Sequence, residues 1–365
     1  FQHAPPSGFL AMCSGNLPVA DAVDPAETND NYPQKLFSPL LYTGNGSSRS
    51  ITGLGFQPDL VWLKNRETDT GQKLYDSNRG AGKAVYPHND DAEQSVSGLS
   101  AFGSDGFSIG STATGYNDNN DDFVSWNWRA NGGTTSTNST GTVNATQQVD
   151  PSGGFSISTY AGTGSSMTVG HGLSAEPKLT IIKDLSSTAH WVVYTKEIDG
   201  SLDYLELSTT VGKGNSGFTG PNSSIWNFDG ESGYSNTSGR NYVMFNFTNI
   251  EGYIKIGSYS GNGNTDGAFI HTGFAVSFLL IKRHNRSGDY WYLFDATRNP
   301  FNGPGMQMLN ADGTLTESTH GTTNTIDILS NGWKMRTSGS GLNGSGGEWL
   351  FLAMAHNPFK YATAR

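Results

Sequence analysis

The stretch Leu-Val-Trp-Leu-Lys at residues 60–64 decides the fold, because it recurs twice in similar form further along the chain. The later versions are Leu-Thr-Ile-Ile-Lys at 179–183 and Phe-Leu-Leu-Ile-Lys at 278–282. Short apolar runs of this kind, bounded by turn residues, predict β-strands. The lysines are numbered 64, 183 and 282, so they lie 119 and 99 residues apart. These separations indicate repeated small domains rather than the short turns of a solenoid.

Other elements recur around this strand. A tyrosine-glycine turn precedes it, at 42–46, 160–164 and 259–263. A second strand follows it, at 73–76, 191–194 and 291–295. Each copy then closes on a hydrophobic strand with an asparagine beyond it, at 123–131, 242–249 and 349–357.

The repeats predict the domain organisation. We expect three divergent copies, at 37–150 with a Ser/Thr/Asn-rich linker at its end, at 151–253 and at 254–365. Residues 1–36 carry five of the 14 prolines, four of them within residues 4–25, and show neither helical nor strand periodicity, so they predict an extended arm or linker.

Strand patterns dominate within each copy. Trp126 and Trp128 alternate with Ser125, Asn127 and Arg129, which places the indoles on one face of a sheet and the polar side chains on the other. The nearest approach to a helix, at 91–94, is too short to hold without packing. The sequence therefore predicts an all-β fold of tandem antiparallel β-sandwich domains after an extended N-terminal arm.

Composition excludes several classes of function. A net charge of −10 argues against a nucleic-acid surface built on a general basic field. The longest strongly apolar run, at 275–281, is far shorter than a membrane-spanning helix requires, so no membrane insertion is expected. The single cysteine, Cys13, excludes an intramolecular disulfide.

The motifs of common catalytic and cofactor sites are weak or missing. The eight histidines show no pair at i, i+2 or i, i+4 spacing. The glycines at 339, 341 and 344 match a dinucleotide-binding pattern but lead into a strand, so the helix N-terminus that holds a pyrophosphate is not expected. We predict no catalytic residue, no cofactor and no resident metal.

Two groups of acids remain open to another interpretation. The loop Asn117–Asp122 supplies oxygen ligands of the kind that calcium accepts, with a solvated turn as the default. A glycoside hydrolase needs two carboxylates about 5–10 Å apart, and the candidates are Asp76, Asp105, Asp295 and Glu348. Asp76 and Asp295 recur at the same place in two copies, which favours scaffold ion pairs with Arg79 and Arg298.

The aromatic residues divide into two sets. One set lies in repeat-equivalent strands and is expected to pack in cores: Trp62, Trp191, Trp291, Trp333 and Trp349. The other lies in Gly-, Asn- and Ser-rich loops, where exposed rings with amide neighbours suit a glycan: Tyr116, Phe218, Trp226 and Tyr234.

The first copy resembles a known family. The runs 55–66, 74–81, 102–110 and 126–130 resemble a β-rich repeat of structural proteins in tailed phages, chiefly podovirus- and myovirus-like phages of marine bacteria. The ending 353–361 is similar to the terminus of such copies, and residues 5–9 with 16–18 resemble the end of a lectin-like sandwich domain that often precedes them. The last resemblance implies that the chain is part of a longer protein.

The resemblance implies a virion protein of the tail fibre, tail tip or adhesin kind. The expected partners are other virion proteins and a host-surface glycan, and the habit of such proteins suggests a homotrimer. Two alternatives remain open. One is a head decoration or vertex fibre that binds the capsid, and the other is a polysaccharide-degrading tail enzyme.

Overall fold

The computed structural model of the chain describes residues 35–110, 114–319 and 325–355. Within these ranges the chain forms β-strands, turns and loops, with no α-helix, and the named strands pair antiparallel. The predicted all-β antiparallel fold is confirmed. The predicted arm at 1–36 lies outside the described residues except for its last two positions.

Unit 1 denotes the first nine strands. Its strands are β1 (Phe37–Thr43), β2 (Arg49–Thr52), β3 (Leu60–Asn65), β4 (Lys73–Asp76), β5 (Lys83–Ala84), β6 (Gln94–Ser95), β7 (Leu99–Gly103), β8 (Gly106–Ile109) and β9 (Asp122–Trp128). They form a large sheet of order β1-β9-β3-β4, a small sheet of order β2-β8-β7 and the pair β5-β6.

Unit 2 denotes the next eleven strands. Its strands are β10 (Ser136–Asn138), β11 (Ala145–Asp150), β12 (Phe155–Ala161), β13 (Met167–Gly170), β14 (Leu179–Asp184), β15 (Val192–Thr195), β16 (Asp203–Glu206), β17 (Gly214–Asn215), β18 (Gly220–Pro221), β19 (Ile225–Phe228) and β20 (Asn241–Phe247). The large sheet has the order β10-β11-β12-β20-β14-β15-β16-β17, and the small sheet has the order β13-β19-β18.

Unit 3 denotes the last nine strands. Its strands are β21 (Ile254–Ser260), β22 (Phe269–His271), β23 (Phe278–Arg283), β24 (Trp291–Asp295), β25 (Gln307–Asn310), β26 (Ser318–Thr319), β27 (Ile326–Leu329), β28 (Gly332–Met335) and β29 (Glu348–Met354). The large sheet has the order β21-β29-β23-β24-β25-β26, and the small sheet has the order β22-β28-β27.

One arrangement and one register recur in the three units. In each large sheet the closing strand (β9, β20 or β29) lies between the strand of the turn tyrosine (β1, β12 or β21) and the strand that contains the lysine (β3, β14 or β23). Opposite the tyrosine of the turn stands an aromatic residue, Phe123, Tyr242 or Trp349. Opposite the lysine stands the next residue along, Val124, Val243 or Leu350.

Each large sheet packs one face against its own small sheet. In unit 1 this layer contains Val61 and Leu63 of β3 with Phe107 and Ile109 of β8. In unit 2 it contains Ile182 of β14 and the side chains of β13 and β19. Burial of this apolar area makes each unit a β-sandwich.

The other faces of the three large sheets meet in one shared core. Leu60 and Trp62 of unit 1, Leu179 and Ile181 of unit 2 and Phe278 and Leu280 of unit 3 belong to one continuous hydrophobic cluster. A small apolar cavity of about 20 Å³ lies among them. Each large sheet is therefore buried on both faces, which the sequence analysis did not predict.

This double burial also determines the surroundings of β9. The alternation of Trp126 and Trp128 with Ser125 and Asn127 holds, but Ser125 and Asn127 are also fully buried. Asn127 satisfies its amide nitrogen by donating to Ser38 O at 2.9 Å and to Ser125 Oγ at 3.0 Å. The polar face of this strand therefore lies between the two sheets of unit 1 and not in solvent.

The units also contact one another through equivalent hydrogen bonds that close into a ring. In each, a side-chain N–H at the start of the second strand donates to a carbonyl of the neighbouring unit. The three bonds are Trp191 Nε1 to Tyr86 O (2.9 Å), Trp291 Nε1 to Glu206 O (2.8 Å) and Gln72 Nε2 to Asn310 O (2.8 Å). Unit 2 thus binds unit 1, unit 3 binds unit 2, and unit 1 binds unit 3.

A second ring of backbone hydrogen bonds joins the same pairs of units, with donor and acceptor units exchanged. Its members are Glu93 N to Leu185 O (3.1 Å), Lys213 N to His284 O (2.8 Å) and Glu317 N to Arg66 O (2.7 Å). The three units are therefore joined in a closed ring, in which the first unit contacts the last.

The linker expected at the end of the first copy is partly a strand pair. Strands β10 and β11, within 136–150, pair with each other and then with β12. Gln147 and Gln148 are buried there, so this segment extends the large sheet of unit 2. The division of the chain at residues 150 and 253 remains a prediction.

The tyrosine-glycine turns recur because each supports the loop before the closing strand. The hydroxyls of Tyr42, Tyr160 and Tyr259 each donate to a carbonyl of that loop at 2.8 Å. A Cβ on Gly44 would lie 2.0 Å from Asp118 O, so only glycine fits where the two segments cross.

Candidate functional site

Two of the four loop aromatics expected to bind a glycan are core residues. Tyr116 is 2% exposed, and its hydroxyl hydrogen-bonds that of Tyr75 at 2.6 Å. Trp226 is fully buried in β19, and its indole N–H donates to Thr180 Oγ1 at 3.0 Å. The expectation that these two rings are exposed is wrong.

The burial of Trp226 was predictable from the sequence. Ile225, Trp226, Asn227 and Phe228 alternate with period two, as a half-buried strand does. The flanking Asn and Ser residues favoured a loop, but β19 is the central strand of its small sheet. Strand pairing on both sides outweighs the turn preference of its neighbours.

The other two predicted aromatics, Phe218 and Tyr234, lie in one groove of unit 2. The groove has a volume of about 440 Å³ and opens to solvent beside β16 and β17. Both rings are half-buried, so each packs on the core and also lines the groove. The structure thus brings together two residues that stand 16 positions apart in the sequence.

Further residues of the groove were missed by the sequence analysis. Tyr204, in β16 beside the edge strand β17, lies with its ring centroid 6.4 Å from that of Tyr234. Tyr194 forms part of the floor, 6.3 Å from the ring of Phe218. The sequence around Tyr204 does not single it out as a binding residue. Its place in the groove depends on which loop crosses the edge of the sheet, and spacing along the chain does not reveal that.

The polar contacts of the groove fix the aromatic rings. The Tyr234 hydroxyl donates to Glu206 Oε1 at 3.2 Å. A Cβ on Gly214 would lie 2.6 Å from the Tyr204 ring, so the ring rests directly on the backbone there. The buried Asn236 holds the loop by donating to Gly230 O at 2.8 Å and accepting from Thr163 N at 2.8 Å.

The charge of the groove is negative. Of the twelve described residues that line it, two are charged, and both are acids, Asp229 and Glu231. Asp229 accepts hydrogen bonds from the backbone and the hydroxyl of Thr219. Burial, and after it the charge of Glu206, raise the pKa of the Tyr234 hydroxyl. The groove therefore combines aromatic faces, amide and hydroxyl groups and carboxylates that form no ion pair within the described residues.

A second groove, in unit 1, has a different chemistry. It has a volume of about 540 Å³ and is lined by Lys73 and His88 as well as by Asp91. Burial, with the nearby charge of Lys64, lowers the pKa of Lys73 to about 7. Burial also lowers the pKa of His88. This groove carries basic groups that the groove of unit 2 lacks among its described lining.

The acid-rich loop Asn117–Asp122 uses its oxygens within the protein. Asn117 Oδ1 accepts from Asn45 N at 3.1 Å, and Asp121 Oδ2 accepts from the Asn65 amide at 2.7 Å. Asp122 Oδ1 accepts from the Thr43 hydroxyl at 2.7 Å. In the described part of the chain, no group of three or more His, Cys, Asp or Glu side chains is placed to hold a metal.

Each candidate hydrolytic acid makes a contact of its own in the fold. Asp76 and Asp295 form buried ion pairs with Arg79 and Arg298, as the repeat pattern predicted. The carboxylate of Asp105 accepts from the backbone of the turn that follows β2. The side chain of Glu348 is more than half exposed, and its Oε2 lies 4.0 Å from His284 Nε2. Three of the four candidates therefore already stabilise the scaffold.

The predicted core tryptophans all lie in cores. Trp62, Trp191, Trp291, Trp333 and Trp349 are each at most 4% exposed.

Over the ranges that the structure covers, no helix has the length and apolar character to cross a membrane.

Comparison with known proteins gives a family and no named relative. No curated protein matches the chain. The model of the family described as Domain of unknown function (DUF7483) matches residues 32–358, which include every strand of the three units. The match extends over most of the 365 residues, so the chain belongs to the DUF7483 family.

Proposed function

We propose that the chain is a structural component of a tailed-phage virion, located in a tail fibre or tail tip, that attaches to a glycan of the host surface. The resemblance of residues 55–66 and 74–81 to repeats of phage structural proteins supports the location. The observation that carries the attachment function is the groove of unit 2, where Tyr204, Phe218 and Tyr234 present aromatic faces beside amide and hydroxyl groups.

The scaffold suits such a role. A rigid framework that holds loops at its edge is the usual setting for recognition. Here the shared core and the closed ring of contacts fix three sandwiches relative to one another. A rigid groove loses little conformational freedom on binding, so more of the contact energy appears as affinity.

Immunogold electron microscopy of whole virions tests the location. The antibody is raised against residues 37–365, and a sample of it absorbed with the purified chain serves as the control. Gold on the tail tip or fibres supports the proposal. Gold on the head identifies a decoration or vertex protein instead, and gold on neither overturns the virion assignment and brings the enzyme alternative forward.

A further inference from the structure

We propose that the groove of unit 2 recognises an ammonium group, so that its ligand is an amine-bearing saccharide rather than a neutral or acidic one. This inference rests on the proposed attachment function and names the ligand class of the same groove.

The first support is the unbalanced charge. Asp229 and Glu231 are exposed, and neither has an ion-pair partner among the described residues. Arg240 interacts electrostatically with the Glu231 carboxylate, but its ion pair is with Asp184, at 2.9 Å between Nη1 and Oδ2. An acidic saccharide would place its charge beside two unpaired carboxylates and be repelled, whereas an ammonium group would be attracted.

The second support is the aromatic geometry. Tyr204 and Tyr234 lie 6.4 Å apart by ring centroid and are tilted by 35°, so the two rings form adjacent walls. Phe218 adds a third ring to the lining. Aromatic faces attract ammonium groups through the ring quadrupole, and grooves of several rings are a common way of binding them.

The third support is the polar lining that remains. Asn215, Ser216 and Ser232 lie along the same groove and offer amide and hydroxyl groups to the hydroxyls of a sugar. A groove of about 440 Å³ also has room for more than an isolated ammonium ion. Together these residues fit a sugar ring that carries an amine.

The test compares two tetrasaccharides of the same backbone, one with free amines and one with the amines acetylated and uncharged. Titration calorimetry at pH 5.5 and low salt uses the tetramer of β-1,4-linked glucosamine and the tetramer of N-acetylglucosamine. The intact chain should bind the amine form more tightly, by about fivefold or more for two carboxylates and the ring contacts. Added salt should weaken that preference, because exposed charges are screened.

Matched variants assign the binding to the groove. Glu231→Gln should lower affinity for the amine form by about threefold and leave the acetylated form unchanged. Glu251→Gln removes the same charge from an exposed turn outside the groove and should change neither affinity. Tyr234→Phe keeps the ring but loses the bond to Glu206, and it should weaken binding of the amine form.

Each contrary outcome has a separate meaning. Equal affinity for the two tetramers, or an amine preference that survives Glu231→Gln, overturns the ammonium site and leaves the attachment function intact. Absence of binding to either tetramer also overturns it, whatever the virion labelling shows. Gold on neither head nor tail overturns the proposed function independently of these titrations.

Discussion

Replacing Phe278 with alanine should destabilise all three units together. Phe278 is 1% exposed and extends from unit 3 into the shared core. Its ring centroid lies 5.6 Å from that of Phe37, 5.8 Å from that of Trp126 and 5.6 Å from that of Trp128, all in unit 1. A buried Phe→Ala change lowers the free energy of unfolding by about 3–5 kcal/mol. A cavity already lies beside Phe278, so few neighbouring atoms can move to fill the space that the ring leaves.

Urea unfolding, followed by tryptophan fluorescence and by circular dichroism, measures this effect. We expect one transition with an unchanged slope and a free energy of unfolding lower by about 3–5 kcal/mol. At about 2 °C for each kcal/mol in a chain of this size, the melting temperature should fall by about 6–10 °C. Phe301→Ala, at a site that is 84% exposed in the same unit, is the matched control and should have almost no effect.

The contrary result would be equally clear. If the units unfold independently, Phe278→Ala should give two transitions, with the tryptophan signal of unit 1 retained after unit 3 has unfolded. Hydrogen exchange would then show unchanged protection in β9 and lost protection in β23. Either observation would refute the shared-core interpretation.

Three further predictions concern single buried features. Arg298→Met should leave the buried Asp295 carboxylate without its ion-pair partner, while Glu317 keeps its pair with Arg66, and should lower the free energy of unfolding by about 3–5 kcal/mol; a loss below about 1 kcal/mol would contradict this. Gly261→Ala should cost about 1–3 kcal/mol in the same urea assay, because its Cβ would lie 2.6 Å from a backbone oxygen, whereas Gly303→Ala has open space and should be neutral. Burial raises the pKa of Asp312 to about 7, so near pH 5 the folded chain holds a proton there that the unfolded chain has lost. The folded state therefore loses stability as the pH rises, and the urea midpoint of the wild type should fall relative to that of Asp312→Asn between pH 5 and pH 8. Parallel pH profiles of the two chains would contradict this.

Much of the fold followed from local sequence signals. The strands predicted at 73–76 and 291–295 coincide with β4 and β24, and the lysine-ending runs differ from β3, β14 and β23 by one residue. These elements were predictable because short runs of β-branched and aromatic residues between turn residues have few alternatives to a strand.

The shared core was not predicted, although the sequence held a signal for it. The runs 60–64, 179–183 and 278–282 are almost continuously apolar, and a sheet with one solvated face would show alternation instead. Continuous runs indicate burial on both faces. What covers the second face depends on contacts between residues about 100 positions apart, which no local pattern reports.

The candidate site was predicted only in part for the same reason. Phe218 and Tyr234 were identified from their polar neighbours, but the same criterion selected Tyr116 and Trp226, which are buried. Loop composition predicts that a ring is near the surface. Whether the ring faces solvent depends on the strand register of its neighbours and on which segment crosses it.

The proposed function, attachment of a tailed phage through the groove of unit 2, is tested most directly by phage adsorption. Host cells are first incubated with an excess of the purified chain, and free phage is then counted over time. We expect the wild-type chain to slow adsorption several-fold and a folded Tyr234→Ala chain to have little effect, because the groove would be damaged. Unchanged adsorption at saturating wild-type chain, or equal slowing by both chains, would contradict attachment through this groove.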